Sequence, residues 1–151
     1  MTRHKHGFTI IELLIIIAIL GILLALATTA WRGWVQRQDL QSAARTVLAA
    51  LNEARSDARR TSNDYRVTWD ETSVTSIAGL DAEMQVLLPA GTRITTETDT
   101  VLYTAPFGRA QFPGDELRID IVSDRLTNNN TRQVIIYGVT GKTAVITPDT
   151  P

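Results

Sequence analysis

The chain has no cysteine. Disulfides, thiolate metal sites and a cysteine nucleophile are therefore excluded. Histidine is nearly as scarce, with two residues, His4 and His6, both ahead of residue 8. If that head is removed from the mature protein, a Ser-His-Asp triad and an imidazole metal site are excluded too. Neither sign of charge dominates. The 15 Lys and Arg against 16 Asp and Glu leave −1, and loss of Arg3 and Lys5 makes it 13 − 16 = −3. The global basic field that draws nucleic acid is thus missing. No paired carboxylate or activated nucleophile stands out among the remaining Asp, Glu, Ser and Lys. The chain is expected not to be an enzyme, and no cofactor or metal is implied.

What is present is one long apolar run. From Leu13 to Ala27 every residue is apolar or Gly. A helix needs about 20 apolar residues to cross a bilayer core, and residues 8–31 supply them, with Glu12 as the single charge. Trp31, Trp34, Arg32 and Arg37 follow, residue types that suit a membrane–water interface. A cleaved secretory signal has a shorter apolar core and a small-residue exit, so this run reads as a retained anchor. Arg3 and Lys5 on one side balance Arg32 and Arg37 on the other, and charge does not set the orientation. The head is too short to fold, which makes the part after the anchor the exported one. With 151 residues, one domain of ordinary size is expected there.

Glu12 is the anomaly. A carboxylate in hydrocarbon costs several kcal/mol, though a residue near a helix end reaches water by snorkelling. The surroundings are more informative. "KHGFTIIELL" resembles the class III signal of type IV pilins and type II secretion pseudopilins: a short basic leader ending in Gly, then Phe, then an apolar run with Glu at the fifth mature position. Gly7, Phe8, Thr9 and Glu12 match that pattern. The resemblance implies cleavage between Gly7 and Phe8 by a prepilin peptidase, N-methylation of Phe8, and an assembly role for Glu12. Glu12 lies one turn from the new amine and near the positive end of the helix dipole. In the family this carboxylate meets the terminal amine of a neighbouring subunit, and such a pairing selects register. The implied partners are other pilins or pseudopilins, the peptidase, an inner-membrane assembly platform and the membrane itself.

Beyond the anchor, Leu40, Ala43, Ala44, Val47, Leu48, Leu51, Ala54 and Ala58 recur at three- and four-residue spacing, one apolar stripe on a continuing helix. Thr61, Ser62 and Asn63 suggest its stop. The pattern then changes to short β-branched runs at 65–69, 73–77, 84–88, 100–104, 117–122, 133–139 and 143–147. Turn formers separate them at 70–72, 89–91, 113–115 and 140–142. The first and last pairs suggest hairpins. The expected fold is α+β, with a long N-terminal helix packed through its second half on a C-terminal antiparallel β-sheet. The boundaries are a leader at 1–7, an anchor at 8–31, an amphipathic continuation at 32–62 and a β-rich domain at 63–151. The region "LQSAARTVLAALNEARSDARRTSNDYRVTW" and the closing "VIIYGVTGKTAVIT" resemble the GspH/FimT branch of pseudopilins and minor pilins. That branch often has Pro where Thr29 stands here, and its DNA-uptake members carry more basic residues after the last turn than Lys142.

Other signals are weaker. "GVTGKT" misses the phosphate loop, because Ile136 stands where its first Gly belongs and too few residues follow for a helix. "NNNT" at 128–131 reads as a polar loop rather than a glycosylation site. Asp115, Glu116, Asp120 and Asp124 lack the calcium-loop spacing and read as solvated. Arg109, Arg132 and Lys142 are the candidates for nucleic-acid contact, expected at one end of the sheet domain.

Overall fold

The computed structural model describes residues 9–78, 82–138 and 140–148. The chain divides into two compact units, one reaching Val35 and one starting at Gln36. Helix α1 (Ile10–Thr61) contributes to both.

In the first unit α1 supplies about 39 Å of helix at 1.5 Å per residue. Its thirteen Ile and Leu side chains between Ile10 and Leu26 are all exposed, from 42% to 81%. No face is preferred, so the amphipathic stripe of a soluble helix is missing. By length and composition the segment is able to cross a membrane. The helix runs unbroken through residues 28 and 29, and the Thr28 hydroxyl donates to the Ala25 carbonyl at 2.9 Å.

In the second unit α1 behaves differently. Leu40, Ala43, Ala44, Val47, Leu51, Ala54 and Ala58 are buried, and Leu48 packs at the margin of the same core. The three- and four-residue spacing thus forms the stripe expected of it. Arg59 and Arg60 occupy the last turn, where cations favour the negative end of the dipole. The Thr61 hydroxyl caps the Asp57 carbonyl at 2.8 Å, and Ser62, at φ 56°, turns the chain out of the helix.

Among the described residues nine strands follow: β1 (Tyr65–Trp69), β2 (Ser73–Ala78), β3 (Ala82–Leu87), β4 (Thr92–Thr95), β5 (Thr100–Thr104), β6 (Arg109–Gln111), β7 (Glu116–Ser123), β8 (Thr131–Tyr137) and β9 (Lys142–Ile146). They form two antiparallel sheets, not the single sheet expected. Sheet A has the order β3-β2-β1-β5-β6 and sheet B the order β4-β7-β8-β9. The chain changes sheets at Pro89–Gly91, where Gly91 adopts φ 84° and the Thr92 amide closes a turn onto the Pro89 carbonyl at 3.2 Å. It returns to sheet A between β4 and β5, and changes a third time, through Gly114 at φ 96°, between β6 and β7.

The β1–β2 and β8–β9 hairpins are present, with Trp69 opposite Val74 and Tyr137 opposite Lys142. In the first turn the Asp70 carboxylate accepts from the Thr72 and Ser73 amides at 2.7 Å and from the Ser73 hydroxyl at 2.9 Å. Those bonds, the Thr72 amide foremost, hold the Asp70 carboxyl below its ordinary range. Val67, Trp69, Val74, Val101 and Tyr103 of sheet A share one core with Ile119, Ile121, Val134 and Ile136 of sheet B and the α1 stripe. Alternation explains which strand residues turn inward, as in β7, whose burial switches at almost every position.

Candidate assembly site at the helix N-terminus

Gly7 and Phe8 lie outside the described residues. Thr9 and Glu12 lie within them, and they are joined. The Thr9 amide and the Thr9 hydroxyl both donate to Glu12 Oε2 at 2.9 Å, and the Glu12 amide donates back to the Thr9 hydroxyl oxygen at 3.3 Å. This is a capping box: a hydroxyl residue at the cap and Glu three positions on satisfy each other's open amide groups. The Leu13 amide then reaches the Thr9 carbonyl at 3.3 Å, the first helical bond.

The geometry has a chemical consequence. Both donors converge on Oε2, and no hydrogen bond to Oε1 is found among the described residues. The carboxylate is held by half, with its second oxygen open to another donor. Its charge also sits in the first turn, where unpaired amides favour an anion. Magnitudes show why the segment tolerates it. Thirteen Ile and Leu side chains at about −0.3 to −0.6 kcal/mol each give roughly −4 to −8 kcal/mol for insertion, against about 2.5–3.5 kcal/mol for a charge at mid-membrane. The T-x-x-E spacing of Thr9 and Glu12 is the signal in the sequence for this cap, a role for Thr9 beyond its match to the leader pattern.

At the other end of the apolar run, the Trp31 and Trp34 rings sit 5.4 Å apart, tilted by 39°. Both are more than half exposed, and the flanking Arg32 and Arg37 are exposed as well. A ring pair with arginines beside it is the arrangement that settles at a headgroup layer.

The three basic candidates do not gather as expected. A Cβ on Gly141 would lie 2.6 Å from the Gly108 carbonyl oxygen, 3.2 Å from Arg55 Nε and 3.3 Å from the Ala110 amide nitrogen. The β8–β9 turn therefore presses on the β5–β6 turn, and Arg109 and Lys142 reach one end of the domain near Arg55. Arg132 does not. It faces Ile121 near the start of β8, whereas Lys142 faces Tyr137 at its end, a separation of about 17 Å at 3.4 Å per residue. Arg132 donates instead to Asn129 Oδ1 at 2.9 Å and to the Thr131 carbonyl at 2.8 Å.

Three of the four acidic candidates are engaged locally. Asp120 accepts from Gln133 at 2.7 Å, Glu116 pairs with Arg118, and Asp124 lies 3.2 Å from Arg93. Among the described residues, no group of three or more His, Cys, Asp or Glu side chains comes together as a cation would require.

Comparison with known proteins bears on both units. Residues 2–28 match the prokaryotic N-terminal methylation motif. The fold is similar to that of the type IV minor pilin FimU of Pseudomonas aeruginosa, with a TM-score of 0.61 and 19% identity over 75% of this chain and 92% of that one. It is also similar to the minor pseudopilin EpsH from the Type 2 Secretion System of Vibrio cholerae, with a TM-score of 0.58 and 13% identity over 74% of this chain and 99% of that one. The chain thus joins a prepilin-type methylation motif to the α+β fold of minor pilins and minor pseudopilins.

Proposed function

We propose that this protein is a non-catalytic fibre subunit, a minor pilin or pseudopilin of a type IV pilus or a type II secretion pseudopilus. A prepilin peptidase removes residues 1–7 between Gly7 and Phe8 and methylates the new Phe8 amine. Residues 8–31 hold the subunit in the inner membrane and later enter the fibre core. Residues 32–62 carry the helix into the exported domain of residues 63–151. An assembly platform receives the subunit, and a motor elsewhere supplies the work.

The observation that carries this reading is the half-occupied carboxylate at the head of a helix whose Ile and Leu side chains from Ile10 to Leu26 are all exposed. Water does not suit those thirteen side chains; lipid or neighbouring helices do. Glu12 keeps Oε1 open for a cation arriving from outside the chain, and the new amine of a neighbouring subunit has the matching charge. In hydrocarbon an unpaired charge is costly, so only the register that pairs it is favoured.

The test begins with processing. Gly7→Phe should leave the leader attached, read as intact mass, and abolish fibre incorporation. A variant that is cleaved and incorporated normally contradicts the reading. Nucleic-acid binding during DNA uptake is the second reading. It is favoured by the convergence of Arg109 and Lys142 near Arg55 and opposed by the charge of −3 after processing. Phosphate contacts weaken steeply with salt, so full-length protein that fails to bind DNA even at low salt removes it.

A further inference from the structure

The apolar part of α1 has a length that matches a bilayer. From Ile10, where the helix begins, to Trp31 the axis rises about 32 Å at 1.5 Å per residue. A hydrocarbon core is about 30 Å thick. Near the far end Thr28 gives its hydroxyl to the Ala25 carbonyl at 2.9 Å, so that donor needs no water.

At Trp31 the chemistry of the surface changes. Trp31 is 66% and Trp34 53% exposed, and their rings pack on each other at 5.4 Å. Arg32, between them in the chain, is exposed too. No acid stands between Glu12 and Asp39, so no carboxylate lies within a turn of Arg32. Among the described residues the indole N–H that has an acceptor is that of Trp69, on the Thr98 carbonyl at 2.9 Å. The ion pairs belong to Arg60, Arg93 and Arg118. Two indole N–H groups and one guanidinium therefore face outward where the apolar run ends, beside large apolar ring surfaces. One environment suits all of these groups. The ring bodies favour acyl chains, and the N–H edges favour the ester and phosphate oxygens just above them. A guanidinium presents a planar fork that fits a phosphodiester.

We propose that Trp31, Arg32 and Trp34 form a phospholipid headgroup site, with the rings at the acyl–headgroup boundary and Arg32 on the phosphodiester of an anionic lipid. The proposal rests on the reading of residues 8–31 as a membrane anchor. It has a consequence for Glu12. With the rings at one boundary, Glu12 lies about 29 Å along the axis, at the opposite boundary, where water reaches the carboxylate. The charge then waits in a wetted layer and loses that water when the helix leaves the membrane for the fibre.

Tryptophan emission of the full-length protein in vesicles of phosphatidylcholine and phosphatidylglycerol tests this. Bromine on an acyl chain quenches the rings it touches. Trp69 is 6% exposed in the core of the second unit, and a variant with both Trp31→Phe and Trp34→Phe leaves its emission alone to be subtracted. Bromine close to the headgroup should quench the Trp31 and Trp34 emission at least twofold more than bromine near the chain end. A minor fraction of brominated phosphatidylglycerol should quench at least twofold more than the same fraction of brominated phosphatidylcholine, and Arg32→Gln should abolish that preference. Stronger quenching from the chain end, equal quenching by the two lipids, or a preference that survives Arg32→Gln overturns the proposal and leaves the anchor reading standing. A chain that does not enter the vesicles overturns both.

Discussion

The two halves of α1 share a backbone conformation and little else. From Ile10 to Leu26 thirteen large aliphatic side chains point outward on every side. From Leu40 to Ala58 seven aliphatic side chains, five of them smaller than Leu, form a single buried stripe. A helix satisfies its own amide groups and so is stable in either lipid or water. The side chains alone decide which solvent each half requires. The second half uses Ala at four of its seven buried positions, which brings the sheets close. The first half uses bulk at nearly every position, which serves a surface that meets other chains or lipid.

This contrast is breakable by substitution. Leu51→Ala should destabilise the sheet domain by about 2–5 kcal/mol, the range for a buried Leu truncated in a packed core. Leu20→Ala, in the exposed run, should change it by less than about 0.5 kcal/mol. Denaturant unfolding of purified full-length protein in detergent measures both. Equal effects would erase the distinction between the halves.

Glycine sharpens it. Gly141 combines φ 62° with a Cβ position 2.6 Å from the Gly108 carbonyl oxygen, whereas Gly21 and Gly33 have nothing within 4 Å. Gly141→Ala should cost about 1–3 kcal/mol through strain, and Gly21→Ala should cost nothing measurable in the same unfolding experiment.

The smallest effect is a pH response confined to the second unit. Hydrogen bonds hold the Asp70 carboxyl below its ordinary value of 3.8. A group depressed in the folded state stabilises above its unfolded pKa and loses that contribution as pH falls through its folded pKa. Asp70→Ala should therefore lower Tm at pH 7, with the difference shrinking once pH drops below the ordinary value. A difference that grows toward low pH would contradict the bonding described for that turn.

Much of this was legible in the chain itself. The stripe from Leu40 to Ala58 declared its burial by spacing alone, and β1, β2 and β5 by β-branched runs between turn formers. β4 and β6 escaped because "TRIT" and "RAQ" are too short to show a period. The division into two sheets escaped because β1 takes β5 as its second neighbour, a pairing across more than thirty residues that no local pattern encodes. Glu12 announced itself as the one charge in an apolar run. The separation of Arg132 from Lys142 depends on β8–β9 register, which composition does not reveal.

Glu12, held through Oε2 by Thr9, is proposed to pair with an amine from a neighbouring subunit. Glu12→Gln keeps the shape and removes the charge. Leader cleavage and membrane insertion should stay normal in that variant, while fibre incorporation, read by quantitative mass spectrometry of sheared fibres, should fall at least tenfold. Incorporation equal to the parent protein would contradict the account.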